Sequence, residues 1–256
     1  MTPPARLIIL LGGCDLDWSR GMVEAILAHP VEIAAIVAST ACALDLAAAI
    51  HAQTGGTAPL LVCRRPGQSP EVRSLLDQGI DLAVSVGFDF IVDAEFLAAP
   101  RLGTLNTHPA VLPLNRGCHH SFWGIMDGTP LGATLHWMDS GLDSGDIIDQ
   151  DSFADDGIMT AETIQNRSNA LCIDLLRRNL GRVLDGTAPR RPQGEGTYHS
   201  RRMIRAASTL DAADTIGVGR LLDLCRATAC KDNGFVVVRD GRRFLVRARI
   251  EMITDP

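Results

Sequence analysis

The chain has 256 residues, 46% hydrophobic and 21% charged, which suits a soluble globular protein of one large domain, with or without an appendage. No apolar run approaches the ~20 residues of a membrane span, and Pro3, Pro4 and the Gly12–Gly13 pair suit a first strand and loop better than a secretory signal. The net charge of −6 argues against a broadly basic nucleic-acid binder, although residues 186–256 carry 13 Arg or Lys against 8 Asp or Glu.

In chain order, "RLIILL" (6–11) predicts a buried strand, followed by Gly12 and Gly13, and a helix is expected from about Trp18 to His29, stopped by Pro30. "VEIAAIVAS" (31–39) predicts the second strand and "ALDLAAAIHAQT" (43–54) the second helix. "PLLVC" (59–63), "DLAVSVG" (81–87) and "LGTLNTH" (102–108) continue the strands, with helical stretches near 70–78 and 93–98. This βαβαβ rhythm points to the α/β class, a Rossmann-like, doubly wound and mostly parallel sheet.

Beyond it, "GATLHWM" (132–138) and "DIIDQDSF" (146–153) alternate like antiparallel or edge strands, and a long amphipathic helix is expected over 160–182. Gly and Pro crowd 186–196, which reads as a linker. The division is therefore 1–185 and 186–256, the latter a small unit with a β-hairpin around Asp240-Gly241. The seven cysteines (14, 42, 63, 118, 172, 225, 230) form no C-x-x-C, a pattern of reduced thiols in a cytoplasmic protein.

No G-x-G-x-x-G follows the first strand and no P-loop occurs, so NAD or ATP binding is unsupported. The chemistry-bearing residues gather between 104 and 149. Asn106 and His108 share a strand face, and Pro109 ends the strand. Asp143 lies between Gly141 and Gly145, which fits a tight loop that brings its carboxylate to His108. An Asn amide can donate to a developing oxyanion, so the three could move protons without a metal or a protein nucleophile. From spacing alone, they read equally as a catalytic device or as polar strand endings.

"LNTHPAVLPLNRG" followed by "TPLGATLHWMDSGLDSGDIIDQ" resembles the folate-dependent formyltransferase family, over roughly residues 80–155. The resemblance implies that 1–185 is the catalytic domain and that a formyl group moves from 10-formyltetrahydrofolate to an amine. It places Asn106, His108 and Asp143 at the catalytic positions. It also implies that Val86, Gly87, Phe88, Phe90 and Ile91, with Ser140, Gly141 and Leu142, hold the pterin.

Within the family, formyltetrahydrofolate hydrolases carry a regulatory domain ahead of this core. Glycinamide ribonucleotide formyltransferases are shorter and open with a phosphate loop that "GGCDLDW" does not match. Methionyl-tRNA formyltransferases add a longer β-rich domain behind. The wording "LPLNRG…FW" and "GTYHSRR" (196–202) is most similar to the sugar N-formyltransferases, which act on nucleotide-linked amino sugars for surface polysaccharides such as O-antigen and other lipopolysaccharide precursors.

That branch implies Asn115, Arg116, His120, Tyr198, His199, Arg201 and Arg202 as acceptor-binding residues, a cytoplasmic homodimer, no metal and no nucleic-acid partner. His120 departs from the Pro that many relatives carry two residues before the position of Phe122. Adjacent His119 and His120 rarely face one ion, which disfavours zinc at Cys118. Phe122, Trp123 and Met126 are expected in the core, and Trp137 in the core or at its rim. The alternatives are a methionyl-tRNA formyltransferase-like enzyme, formylation of another small amine, and a non-catalytic folate-binding relative.

Overall fold

The computed structural model describes residues 3–13, 15–53, 55–230 and 233–251. Thr54, Cys14 and Lys231, and the side chain of Cys42, lie outside the described residues. The chain divides into two compact units that interleave along the sequence. The first comprises 1–108, 134–150 and 170–193; the second comprises 109–133, 151–169 and 194–256. The chain passes between units several times, whereas the sequence reading divides it once, at 185/186. Residues 186–193 pack with the first unit and 194–256 with the second.

The first unit is built on strands that read as apolar runs because both faces are covered. Strand β1 (Ala5–Leu11) has Leu7 to Leu11 fully buried. Helix α1 (Leu16–Leu27) starts where Asp15 accepts the Trp18 N–H, and it ends before Pro30. Then come β2 (Val31–Ala38), α2 (Ala41–Gln53), β3 (Leu60–Val62), α3 (Pro70–Asp77), β4 (Leu82–Val86), α4 (Ala94–Leu97) and β5 (Gly103–His108). Ser69 caps α3 with Pro70 at its first position, and Asp93 caps α4.

The chain continues through β6 (Arg116–Gly117), α5 (His120–Asp127), β7 (Leu131–Trp137), β8 (Ile147–Phe153) and α6 (Ala161–Leu184). Seven strands form one sheet in the order β3-β2-β1-β4-β5-β7-β8. The pairs among β1 to β5 are parallel, and β7 runs antiparallel to β5. The expected α/β class with a mostly parallel sheet is borne out. Its order reverses between β1 and β4, where doubly wound sheets open a ligand crevice at the strands' carboxyl ends.

Residues 189–193, expected in a linker, are bonded into the first unit. Arg191 exchanges backbone hydrogen bonds with Ile147 (2.8 and 3.1 Å), and Trp137 Nε1 donates to the Pro189 carbonyl at 3.1 Å. The Arg190 guanidinium lies 3.9 Å from the centre of the Trp137 ring and donates to the Leu102 carbonyl. Trp137 is thereby enclosed, with 5% of its surface exposed.

The second unit packs Phe122, Trp123, Ile125 and Met126 of α5 against Leu131, Met159, Ile164, Leu224 and Phe235, as their apolar spacing predicts. It also holds β9 (Tyr198–His199), α7 (Met203–Ala207), β10 (Thr209–Asp211), α8 (Val218–Thr228), β11 (Phe235–Arg239) and β12 (Arg242–Val246). β11 and β12 form the expected hairpin, with Asp240 and Gly241 both at positive φ (51° and 71°), the backbone an Asp-Gly turn of the primed type requires. Among the described residues, no helix is long and apolar enough to cross a membrane.

Candidate active site

Strand β5 places Asn106 and His108 on one face. Its parallel neighbour β4 sets Ser85 opposite Asn106. Its antiparallel neighbour β7 sets His136 opposite Asn106, and Thr134 opposite His108. The loop between β7 and β8 folds back, so that Asp143 Oδ2 lies 3.6 Å from His108 Nδ1 and Oδ1 lies 3.9 Å from His136 Nε2. Both separations exceed a hydrogen bond; the carboxylate stands close enough to His108 to favour a positive charge on that ring when it takes up a proton. The side chains are nearly enclosed, with 6% of His108, 12% of Asp143 and 2% of His136 exposed.

The hydrogen bonds fix the protonation of His136. Its Nδ1 lies 2.8 Å from the Trp137 carbonyl oxygen, which can only accept, so Nδ1 carries the proton. Burial pushes the imidazole down to about 4, which keeps the ring neutral at pH 7, with its lone pair on Nε2. The Asn106 amide nitrogen, 3.2 Å away, donates to that lone pair. The orientation of the Asn106 amide follows: one N–H is engaged by His136, and the other is left for a partner elsewhere.

The Asp143 loop is braced from within. Asp139 Oδ1 accepts from the Gly141 N–H (3.0 Å) and the Ser144 hydroxyl (2.8 Å). Asp143 sits at φ 51°, in the left-handed region that Asp tolerates better than most residues. A Cβ on Gly145 would overlap the Trp137 carbonyl oxygen, so only glycine allows the loop to press against the end of β7.

The apolar loop expected to hold a pterin follows β4. Phe88 and Phe90 meet edge to face at 6.3 Å, and Ile91 projects outward, 73% exposed. Val86 does not project: its side chain is fully buried and its carbonyl accepts the Gly12 N–H. Gly87 lies at φ 66°. Asp89 accepts from the Ser39 hydroxyl (2.5 Å) and the Gly13 N–H (3.2 Å), which ties this loop to the carboxyl ends of β1 and β2. On the Asp143 loop, Ser140, Gly141 and Leu142 are all exposed.

The residues expected at an acceptor fall in the second unit. β6 and β9 pair Arg116 with Tyr198 and Gly117 with His199. Tyr198, Arg201 and Arg202 are exposed, and Arg116 donates to the Gly194 carbonyl. Asn115 and His199 are interior. Asn115 is 2% exposed and its amide donates to the Thr129 hydroxyl at 2.7 Å. His199 stacks on Trp123 at 4.0 Å, with Nε2 3.3 Å from Asp127 Oδ2. Both are enclosed within the second unit. His120 opens α5 and is half-buried.

Sequence reasoning missed His136. His136 stands inside the quoted "GATLHWM", but only the β5–β7 register reveals that it faces Asn106.

A family model described as formyl transferase matches residues 27–178. The methionyl-tRNA formyltransferase of Staphylococcus aureus (strain JH1) is 32% identical over 128 residues, which is 50% of this chain and 41% of that protein, so the chain spans less than half the length of this curated relative. Among solved structures, a 4-N formyltransferase from Francisella tularensis superposes with a TM-score of 0.84 at 19% identity, covering 98% of this chain and 100% of that one. An N-formyltransferase from Helicobacter canadensis, solved with folinic acid and dTDP-3-aminofucose, gives 0.69 at 21% identity over 93% and 85%. With a family model matching more than half its length, the chain belongs to the formyl transferase family.

Proposed function

We propose that the protein transfers the formyl group of 10-formyltetrahydrofolate to the amine of a nucleotide-linked amino sugar. The observation that carries the transfer is the enclosed cluster of Asn106, His108 and Asp143, with the Asn106 amide oriented by a neutral His136. In this reading the acceptor amine attacks the formyl carbon. The remaining Asn106 N–H stabilises the tetrahedral oxyanion. His108 takes the proton from the attacking nitrogen and returns one to the departing folate nitrogen, while Asp143 stabilises its imidazolium. A C–N bond forms to the acceptor as the C–N bond to folate breaks, and no electrons are exchanged. Phe88, Phe90, Ile91 and the 140–142 turn are the proposed pterin contacts.

The acceptor class rests on likeness of fold through the second unit. The Helicobacter canadensis protein, solved with folinic acid and dTDP-3-aminofucose, is similar in fold over 93% of this chain. Tyr198, Arg201 and Arg202 are the exposed candidates for the nucleotide and its pyrophosphate. A cytoplasmic homodimer supplying a polysaccharide precursor, with 1–185 as the catalytic part, belongs to the same proposal.

Incubation with 10-formyltetrahydrofolate and a panel of nucleotide-linked 3-amino and 4-amino sugars tests it, read as tetrahydrofolate release and product mass. Formylation of one sugar supports the reading. Release with charged initiator tRNA, and with no sugar, would overturn it in favour of the tRNA enzyme.

A further inference from the structure

We infer that Gln193 is a positioning residue for Asp143, delivered to the Asp loop by the strap of residues 189–193; this rests on the formyl-transfer reading above. The Gln193 amide nitrogen lies 3.0 Å from the Asp143 carbonyl oxygen and 2.6 Å from the Gly145 carbonyl oxygen. An amide nitrogen carries two protons, and here one goes to each carbonyl. The two acceptors lie two residues apart, so one side chain pins the Asp143–Ser144 and Gly145–Asp146 peptide planes. Within the loop, Asp139 accepts from the Gly141 N–H and the Ser144 hydroxyl, and Gln193 adds a hold that comes from outside the loop.

The strap behind Gln193 is anchored to the rigid parts of the unit. Arg191 is paired with Ile147 at the start of β8 and its guanidinium donates to the Ile148 carbonyl at 3.3 Å. Arg190 and Pro189 are fixed on Trp137 at the end of β7, and Arg190 on Leu102 ahead of β5. The three strands that define the site's geometry therefore hold the amide that holds Asp143. That matters because Asp143 reaches His108 at only 3.6 Å, and a further displacement of ~1 Å at such a contact costs up to about 10²-fold in rate. Gln193 touches no reacting atom; it acts through Asp143.

The test is a double-mutant cycle on the whole chain, with Q193A, D143N and Q193A/D143N, read as tetrahydrofolate release from 10-formyltetrahydrofolate with the acceptor that the sugar panel identifies, or with water if it identifies none. The expected result is that Q193A lowers kcat about tenfold alone but less than twofold in the D143N background, because there is then no carboxylate left to position. The same factor in both backgrounds, or Q193A within twofold of the parent, overturns the inference while leaving the formyl-transfer reading intact. D143N within threefold of the parent overturns both. Thermal unfolding is recorded for each variant. If Q193A fails to fold, the isosteric Q193M and Q193E are read by the same criteria, since neither carries an amide.

Discussion

The Asn106 amide and the His136 imidazole meet at 3.2 Å across the β5–β7 pair, and the lone pair at that contact belongs to the histidine. A neutral ring, locked by its other nitrogen to the Trp137 carbonyl, thus decides which end of the asparagine faces outward. An oxyanion donor is useful only if its N–H, and not its C=O, points at the developing charge.

Replacing His136 by Phe removes that lock. The Trp137 carbonyl then loses its donor inside the protein, which costs roughly 1–3 kcal/mol. The expected outcome is a drop of that size in urea unfolding and a fall of about tenfold in kcat, as the Asn106 amide becomes free to flip. Turnover within twofold of the parent would mean that something else orients the amide.

The same ring makes stability depend on pH. Burial lowers the His136 pKa from 6.5 to about 4, so the unfolded chain takes up a proton in a range where the folded one does not. The stabilisation is fully present above pH 6.5 and is lost as pH falls towards 4, by on the order of 3 kcal/mol. Urea midpoints at pH 7.5, 5.5 and 4.5 should fall in that order, and His136→Phe should flatten the series.

The trio can be weighed one residue at a time. His108→Ala and Asn106→Ala should each lower turnover ~10²-fold or more, the usual scale for losing a proton carrier or an oxyanion donor. Asp143→Asn should cost more than threefold. Tetrahydrofolate release under saturating co-substrate is the measurement, and a smaller effect of Asp143→Asn would separate that residue from His108.

Gly145→Ala places a methyl group on the Trp137 carbonyl and forces the Asp143 loop outward. It should lower turnover at least tenfold and stability by roughly 1–3 kcal/mol, the usual cost of forcing atoms into a packed position. A fully active Gly145→Ala variant would show that Asp143 tolerates displacement.

In the second unit, Arg226 is 4% exposed and donates to Asp155, Asp223 and the Met159 carbonyl. Arg226→Met strips those acceptors of their shared donor, and because both carboxylates still reach water the expected loss is about 2 kcal/mol rather than the larger cost of a fully sealed pair. Chemical unfolding with tryptophan fluorescence would read it.

How much was legible follows from what each residue answers to. Strands β1, β2 and β4 were plain because a strand covered on both faces needs an apolar run, and the Asp240-Gly241 hairpin because few dipeptides accept its backbone. Asn106 and His108 showed as a same-face pair through the strand period alone. His136 did not, because alternation marks "GATLHWM" as a strand without saying which strand it joins or in what register. Gln193 was hidden by its Gly- and Pro-rich neighbours, which mark irregular backbone but not what that backbone is bonded to. Helix α8 leaves little sequence signal, since Gly217 and Gly219 interrupt its start and its burial depends on partners from α5. The two-residue strands β6 and β9 are too short to leave any period.

Cys172 lies on α6, fully buried in the same unit as the site, and burial raises its thiol to about 12, with the Thr107 hydroxyl offsetting only part of the effect. At neutral pH it therefore holds almost no thiolate, the form that reacts with alkylating reagents. The protein thus carries its own clock for opening events: how fast Cys172 is labelled, read peptide by peptide, reports how often the interior behind the Asn106–His108 strand is uncovered. Among the variants above, those that loosen only the Asp143 loop should leave that clock unchanged, and those that loosen the sheet should speed it.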